Sequence, residues 1–211
     1  MDSPDHGQLL RRVRLALQSG DYANAAAGLE EAADTARAAG DLATAGRHLG
    51  NLALIYYQRL QRPDLALHYF EQALTNARAE DDRLTEGGLL GNMGNILREL
   101  GRYEQALAYL NQALLIAQEI GDVRGRGIWL SNLGLVYDDL KRLPEAVEVH
   151  QEAVAVARLL RDQRGLAGRL GNLGNSHLAA SSHAEALKCF HEAVAIYQDL
   201  GEKQAAALRL G

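Results

Sequence analysis

The sequence predicts an all-α fold, an α-solenoid of stacked antiparallel helix pairs, and three observations support this prediction. A Gly-Asn or Ser-Asn pair recurs along the chain, with steps of 41, 40 and 40 residues between successive asparagines. Only 3 prolines occur in 211 residues, and helix-favouring Ala, Leu, Glu, Gln and Arg dominate. Apolar residues recur at helical spacing within each period. Such self-similarity is typical of arrays in which each unit buries its apolar face against its neighbours.

Each period contains two predicted helices. The first carries apolar or small residues at i, i+3, i+4 and i+7, as from Leu130 to Tyr137, and these form one face of a helix. The second carries A-x3-[L/F/H]-x2-A, and the histidine in this pattern is His150. We expect His150 in the core rather than as a metal ligand, because its slot is otherwise apolar. The other occupants of the slot are Phe70, Leu110 and Phe190.

Glycines recur inside the first helices, at Gly94, Gly134 and Gly174. A glycine in a helix interior costs about 1 kcal/mol relative to alanine. Their recurrence at one position predicts that a neighbouring helix crosses there and leaves no room for a Cβ atom.

We expect one domain, residues 1–211, with units at approximately 6–40, 41–81, 82–121, 122–161 and 162–201, and with 202–211 as a partial repeat or capping helix. The first unit is degenerate, which suits a terminal cap with one face toward water. Glycines between units suit left-handed helix C-termini. They are Gly40, Gly121 and Gly201. The acidic residues that follow suit the next N-caps. They are Asp41, Asp82, Asp122 and Asp162.

In these motifs the chain resembles the tetratricopeptide repeat family, whose pattern combines L-G, an aromatic residue and A-x3-F-x2-A. The resemblance covers roughly residues 8–211. The period is longer than the common length of about 34 residues. Together with L-G-N-L-G, this makes the chain similar to the longer Leu-Gly-Asn (Pins/LGN-like) subclass. The resemblance implies a concave groove lined by the first helices and a role in binding proteins or peptides.

The resemblance places a column of asparagines in that groove. A carboxamide both donates and accepts, so such a column could pair with the backbone of an extended peptide. The alternative is that these asparagines hydrogen-bond neighbouring helices and fix the repeat spacing. Both interpretations stay open for the first four. The residues are Asn51, Asn92, Asn132 and Asn172, with Asn95 and Asn175 one turn further on.

Charged and aromatic residues add a second set of groove candidates. Arg47 and Arg98 come from earlier units and Asp138 and Asp139 from a later one, which would suit a partner with acidic and basic ends. A solvated helix surface is the alternative. Tyr57 could serve as an amphipathic anchor, with core packing as its alternative.

Several classes of function are disfavoured. The formal net charge is −5 and no Lys/Arg run exceeds Arg11-Arg12, so we expect no nucleic-acid partner. No apolar run approaches the roughly 18 residues that span a bilayer, so we expect no membrane partner and a cytoplasmic location. Cys189 is the single cysteine, which excludes an intramolecular disulfide, and we expect it to be buried. No catalytic, metal or cofactor motif stands out, so we expect neither a cofactor nor enzymatic activity.

The sequence therefore predicts a non-catalytic scaffold that holds a protein or peptide segment. Two alternatives remain. The chain could be a regulatory or sensor arm of a larger ATPase, protease or transcription regulator. It could also form homo-oligomers through its unfinished last unit, which would expose Leu208 and Leu210.

Overall fold

The computed structural model describes residues 4–201, with side chains from residue 7 onward. This part of the chain forms ten α-helices and no strand, which confirms the all-α prediction. The helices are α1 Pro4–Ser19, α2 Tyr22–Ala38, α3 Leu42–Gln58, α4 Pro63–Ala79, α5 Arg83–Glu99, α6 Tyr103–Glu119, α7 Val123–Asp139, α8 Leu143–Leu159, α9 Gln163–Ala179 and α10 His183–Asp199. The predicted partial repeat at 202–211, with Leu208 and Leu210, lies outside the described residues.

The chain divides into two compact units, Met1–Ile96 and Leu97–Gly211. In the first unit, α1 packs on α2, α2 on α3 and α3 on α4. In the second unit, consecutive helices from α6 to α10 pack in the same way, and α7 also contacts α9. The first helices of successive pairs, α7 and α9, are therefore neighbours. Within residues 4–201, no helix combines the length and apolar character that crossing a bilayer requires.

Acidic side chains begin the first helices, as predicted. Asp41 accepts from the Thr44 backbone N–H at 2.9 Å, and Asp122 from that of Gly125 at 2.8 Å. Asp82 and Asp162 do the same at the starts of α5 and α9, at 3.0 and 2.9 Å. Each bond pairs a backbone donor that the helix itself leaves without a partner. The N-cap predictions are confirmed.

The helix C-termini are followed by residues in the left-handed conformation. Gly40, Gly121 and Gly201 have φ of 78°, 70° and 74°, which confirms the prediction for these glycines. At the equivalent junctions Asp81 and Arg161 adopt φ of 53° and 54° despite carrying a side chain. A left-handed residue lets the chain reverse direction after the last helical turn.

Two of the three interior glycines lie against aromatic rings. A Cβ atom on Gly174 would lie 2.6 Å from Cε1 of Phe190, and one on Gly134 would lie 2.6 Å from Nε2 of His150. In both cases the ring belongs to the second helix of the same pair. The predicted close crossing is confirmed for Gly134 and Gly174. His150 is fully buried, as predicted.

Cys189 is half-buried rather than fully buried and packs against the apolar cluster that contains Leu170 and Tyr197. Burial raises the pKa of its thiol, and the neighbouring Glu192 adds to the increase. The residue therefore behaves as a small apolar side chain at the edge of the core.

A buried carboxylate, Glu86, lies near the start of α5. Its side chain is 7% exposed and accepts from Nε of Arg78 at 2.8 Å and from Nη1 of Arg83 at 2.6 Å. Burial alone would raise the pKa of Glu86, but the hydrogen bonds from the two arginines outweigh it and lower the pKa. The ionised form of Glu86 therefore stabilises the folded chain.

We expect Glu86→Gln to lower the free energy of unfolding at pH 7 by about 1.5–3 kcal/mol, because charge-assisted hydrogen bonds are lost. The folded pKa of Glu86 lies below the unfolded value of 4.5, so the unfolded chain takes up the proton first. The contribution of Glu86 is therefore fully present above pH 4.5 and disappears as pH falls through the folded pKa.

Urea unfolding of wild type and Glu86→Gln between pH 7 and pH 2 measures this difference. Glu71→Gln, at an exposed position on α4, is the control and should have little effect at any pH. A stability difference between wild type and Glu86→Gln that stays constant down to pH 2 would contradict the assignment.

Candidate functional site

The predicted binding residues occupy the first helices of both units. In the first unit Asn51 is exposed on α3, while Asn92 and Asn95 are half-buried on α5. In the second unit Asn132 is half-buried on α7 and Asn172 is half-buried on α9. Asn175 is exposed on α9. Because α7 and α9 contact each other, the asparagines of the second unit lie on neighbouring helices.

Four of the predicted asparagines form no hydrogen bond through their side-chain amides within residues 4–201. They are Asn51, Asn92, Asn132 and Asn172. The backbone carbonyl of Asn172 accepts from Oγ of Ser176 at 3.2 Å, but that bond leaves the amide untouched. The alternative role of these asparagines, in fixing the repeat spacing, therefore finds no supporting hydrogen bond in the described part of the chain.

Two predicted charges are paired with each other. Nη1 of Arg98, in the last turn of α5, lies 3.2 Å from Oδ2 of Asp139 at the end of α7. Arg98 is 22% exposed and Asp139 is 37% exposed. The two residues are predicted to meet oppositely charged segments of a partner, and in the structure they lie next to each other. Their charges largely balance each other.

The other charged candidates differ from this pair. Arg47 is exposed on α3, and its guanidinium donates to Oγ1 of Thr44 at 2.7 Å. Tyr57 is half-buried near the end of the same helix. Arg47 is thus exposed to solvent, while Tyr57 combines packing with partial exposure.

Asp138 is held in a polar network. Its Oδ2 accepts from Nε2 of His150 at 3.1 Å and from Oγ of Ser176 at 2.9 Å, which links α7, α8 and α9. A carboxylate has no proton to donate, so Nε2 of His150 is the donor in its bond to Asp138. His150 and Ser176 are both fully buried. Asp138 Oδ1 and His150 Nδ1 are buried without a partner in the described structure.

This network was not predicted, although the sequence contains a signal for it. Ser176 occupies the helix position that is apolar in the other units, where Ile55, Ile96 and Val136 stand. His150 likewise replaces an aromatic or aliphatic residue. The serine hydroxyl contacts the carboxylate and not the imidazole, so the arrangement is not that of a base-activated nucleophile. The network joins three successive helices.

The described residues contain no group of three or more His, Cys, Asp or Glu side chains placed to hold a metal ion. An array of helix pairs with polar side chains along its first helices defines a helical-repeat protein.

Comparison with known families supplies the family. Models of the tetratricopeptide repeat match residues 49–80, 86–158 and 166–200, which together cover more than half of the chain. The chain belongs to the tetratricopeptide-repeat proteins. A further model, described as anaphase-promoting complex subunit 5, matches residues 6–53. A search of curated proteins finds no significant match.

Solved structures share the fold. BtubC (BKLC) from P. vanneervenii matches with a TM-score of 0.83 at 23% identity, over 92% of this chain and 80% of that one. The apo form of RapI matches with a TM-score of 0.85 at 18% identity, over 93% of this chain and 55% of that one. A Rap protein complexed with competence and sporulation factor has a TM-score of 0.71 at 16% identity, over 89% of this chain and 52% of that one. The chain spans about half the length of the two Rap structures.

Proposed function

We propose that the chain is a non-catalytic scaffold that binds a protein or peptide segment along the surface of its first helices. The observation that carries this proposal is a set of four amides with no hydrogen-bond partner among the described residues. They belong to Asn51 and Asn92 in the first unit and to Asn132 and Asn172 in the second. Each amide offers a donor and an acceptor, which matches the alternating groups of a peptide backbone. The repeat family and the Rap protein complexed with a factor are consistent with this role.

The proposed mechanism separates affinity from selectivity. Rigid helix pairs hold the amides in place, so little conformational entropy is lost when the partner binds. Pairing with backbone groups holds the segment without reading its side chains. Arg47 adds charge selectivity in the first unit, because it is exposed and carries a full positive charge. The repeated L-G-N motif and long period support a place in the Leu-Gly-Asn subclass.

Asn92→Ala/Asn132→Ala should reduce retention of the partner at least about tenfold, because each truncated amide leaves two partner groups without a hydrogen bond. Affinity capture from native lysate, compared with wild type by quantitative mass spectrometry, measures this effect.

Asn111→Ala is the matched control, because Asn111 is exposed on α6, which is a second helix. The control should capture the same proteins as wild type, and circular dichroism should show equal melting for all three chains. If the double variant captures the same proteins in the same amounts, the first-helix surface is not the binding site. If it melts at a lower temperature, the two asparagines are structural.

A further inference from the structure

A cavity of about 420 Å³ lies in the first unit, between α3, α4 and the start of α5. This volume is within the range of about 300–1,000 Å³ that is usual for ligand pockets. Its lining combines buried small residues with exposed charged residues. The lining residues are Leu42, Ala43, Gly46, Arg47, Ala73, Ala77, Glu80, Asp82 and Thr85.

The equivalent position in the second unit, between α7, α8 and α9, is occupied by the guanidinium of Arg169. Nε of Arg169 donates to the carbonyl of Gly127 at 3.3 Å, and Nη1 lies 3.5 Å from Oδ2 of Asp162. The side chain of Arg169 is 12% exposed. A guanidinium therefore fits between two helix pairs of this array, against a backbone carbonyl and an N-cap carboxylate.

The repeat register makes these two places equivalent, and local contacts agree with it. Gly46 corresponds to Gly127, and Asp82 corresponds to Asp162. A Cβ atom on Gly127 would approach Cγ1 of Val156 to 2.8 Å, and one on Gly46 would approach Cβ of the corresponding Asn76 to 3.3 Å. The glycine faces the same helix position in both units.

The first unit has the acceptors without the arginine. Leu89 stands where the second unit has Arg169, and this buried leucine is not among the residues that line the cavity. Asp82 remains as the N-cap, and Glu80, which replaces Leu160, also lines the cavity. With Arg47, the lining carries two negative charges and one positive charge. The cavity therefore favours a cation.

A second observation concerns Asn76, which is 8% exposed. Its Nδ2 is buried without a partner in the described structure and lies 3.9 Å from the Cβ position of Gly46. Rotation of the amide would present Oδ1 at this place instead, because the two ends of the group are interchangeable in shape. A buried amide without a partner therefore lies next to Gly46, which lines the cavity.

We infer that this cavity, called here the Gly46 pocket, binds an arginine side chain of the partner. The inference rests on the proposed function and adds the chemistry of one partner residue. The guanidinium donates to the Gly46 carbonyl and to the carboxylates of Asp82 and Glu80, and the aliphatic stem lies on Ala73 and Ala77. Thr85 in place of Gly165 moves the head group toward Glu80. Arg47, which lies near Asp82, opposes binding.

N-acetyl-arginine amide is a suitable probe, titrated into the full 211-residue chain and followed by NMR at the backbone signals of Gly46 and Thr85. We expect saturable shifts at these signals. N-acetyl-citrulline amide, which has nearly the same shape without the charge, should bind at least about tenfold more weakly. Equal binding of citrulline, stronger binding of N-acetyl-glutamate amide, or no saturable shift would overturn the inference.

Variants test the pocket itself. Asp82→Asn should weaken binding of the arginine probe at least about fivefold. The variant keeps an N-cap, because asparagine caps a helix as well as aspartate does. Asp122→Asn is the matched control at the start of α7 and should bind the probe like wild type. Leu89→Arg/Thr85→Gly copies the second unit and should abolish binding by filling the pocket. If that variant does not fold, the comparison of probe binding between Asp82→Asn and Asp122→Asn still tests the pocket.

This experiment is separable from the test of the scaffold. Asn92→Ala/Asn132→Ala leaves every lining residue of the Gly46 pocket intact, so it should bind the arginine probe like wild type. Probe binding without a change in lysate capture would reject the asparagine surface and retain the pocket. Loss of capture without probe binding would reject the pocket and retain the surface.

Discussion

His150→Ala is expected to lower the free energy of unfolding by about 3–5 kcal/mol, the range usual for truncating a large buried ring. The imidazole is fully buried, so its removal leaves a cavity between α7 and α8. The change also removes the donor at 3.1 Å from Asp138, whose carboxylate then retains only the Ser176 hydroxyl at 2.9 Å. A half-buried carboxylate that has lost a partner is costly.

Urea unfolding followed by tryptophan fluorescence measures the loss, because the single tryptophan, Trp129, lies half-buried on α7. His183→Ala is a suitable control, since His183 is exposed at the start of α10. A loss below about 0.5 kcal/mol for His150→Ala, within the usual range for surface substitutions, would mean that the network contributes little.

The same network predicts a rescue. His150→Phe alone should cost about 1–3 kcal/mol, because Asp138 loses a donor although the ring is replaced. The Phe190 ring beside Gly174 shows that this slot accepts phenylalanine opposite a glycine. His150→Phe/Asp138→Leu/Ser176→Val should then recover wild-type stability to within about 1 kcal/mol, because packed apolar groups replace buried polar groups without loss. If the triple variant is less stable than the single one, the polar network stabilises the unit by itself.

Gly174→Ala is expected to destabilise the second unit by about 1–3 kcal/mol, the usual cost of overpacking. A Cβ atom would lie 2.6 to 2.9 Å from three carbons of the Phe190 ring, so α9 and α10 would have to separate. The helix propensity of alanine offsets about 1 kcal/mol of this cost. Gly134→Ala should behave in the same way against His150.

Gly88→Ala is the matched control for this effect. Gly88 also lies inside a first helix, but a Cβ atom there would meet no atom within 4 Å. This variant should gain up to about 1 kcal/mol, since only the propensity changes. Thermal unfolding of the three variants by circular dichroism gives the comparison. Stabilisation by Gly174→Ala equal to that by Gly88→Ala would contradict the close crossing of α9 and α10.

Local features of this fold could be predicted from sequence, and long-range ones could not. The N-caps Asp41 and Asp122 and the left-handed Gly40 depend on residues a few positions away, so a short stretch of sequence specifies them. The repeat supplied the helix pairing, because each unit is a copy of its neighbours. Family resemblance supplied the surface on which binding is proposed.

The ion pair of Arg98 with Asp139 joins residues that are 41 apart, and the bond of Ser176 to Asp138 spans 38. No local pattern marks either pair, because each depends on how the helices are rotated against one another. A lone serine or aspartate in a helix is most often a solvated residue. Departure from the repeat pattern at His150 and Ser176 is the available signal, and it indicates burial at His150 without identifying a partner.

The network of Asp138, His150 and Ser176 also bears on how such a gene can change. Tandem repeats commonly gain and lose whole copies by unequal crossing over, and a stack of identical modules would tolerate this at any joint. Here the three polar groups come from three successive helices, so a deletion or duplication that separates α8 from α9 would leave buried polar atoms opposite apolar neighbours. We therefore expect the insertion or loss of a unit between α8 and α9 to cost stability.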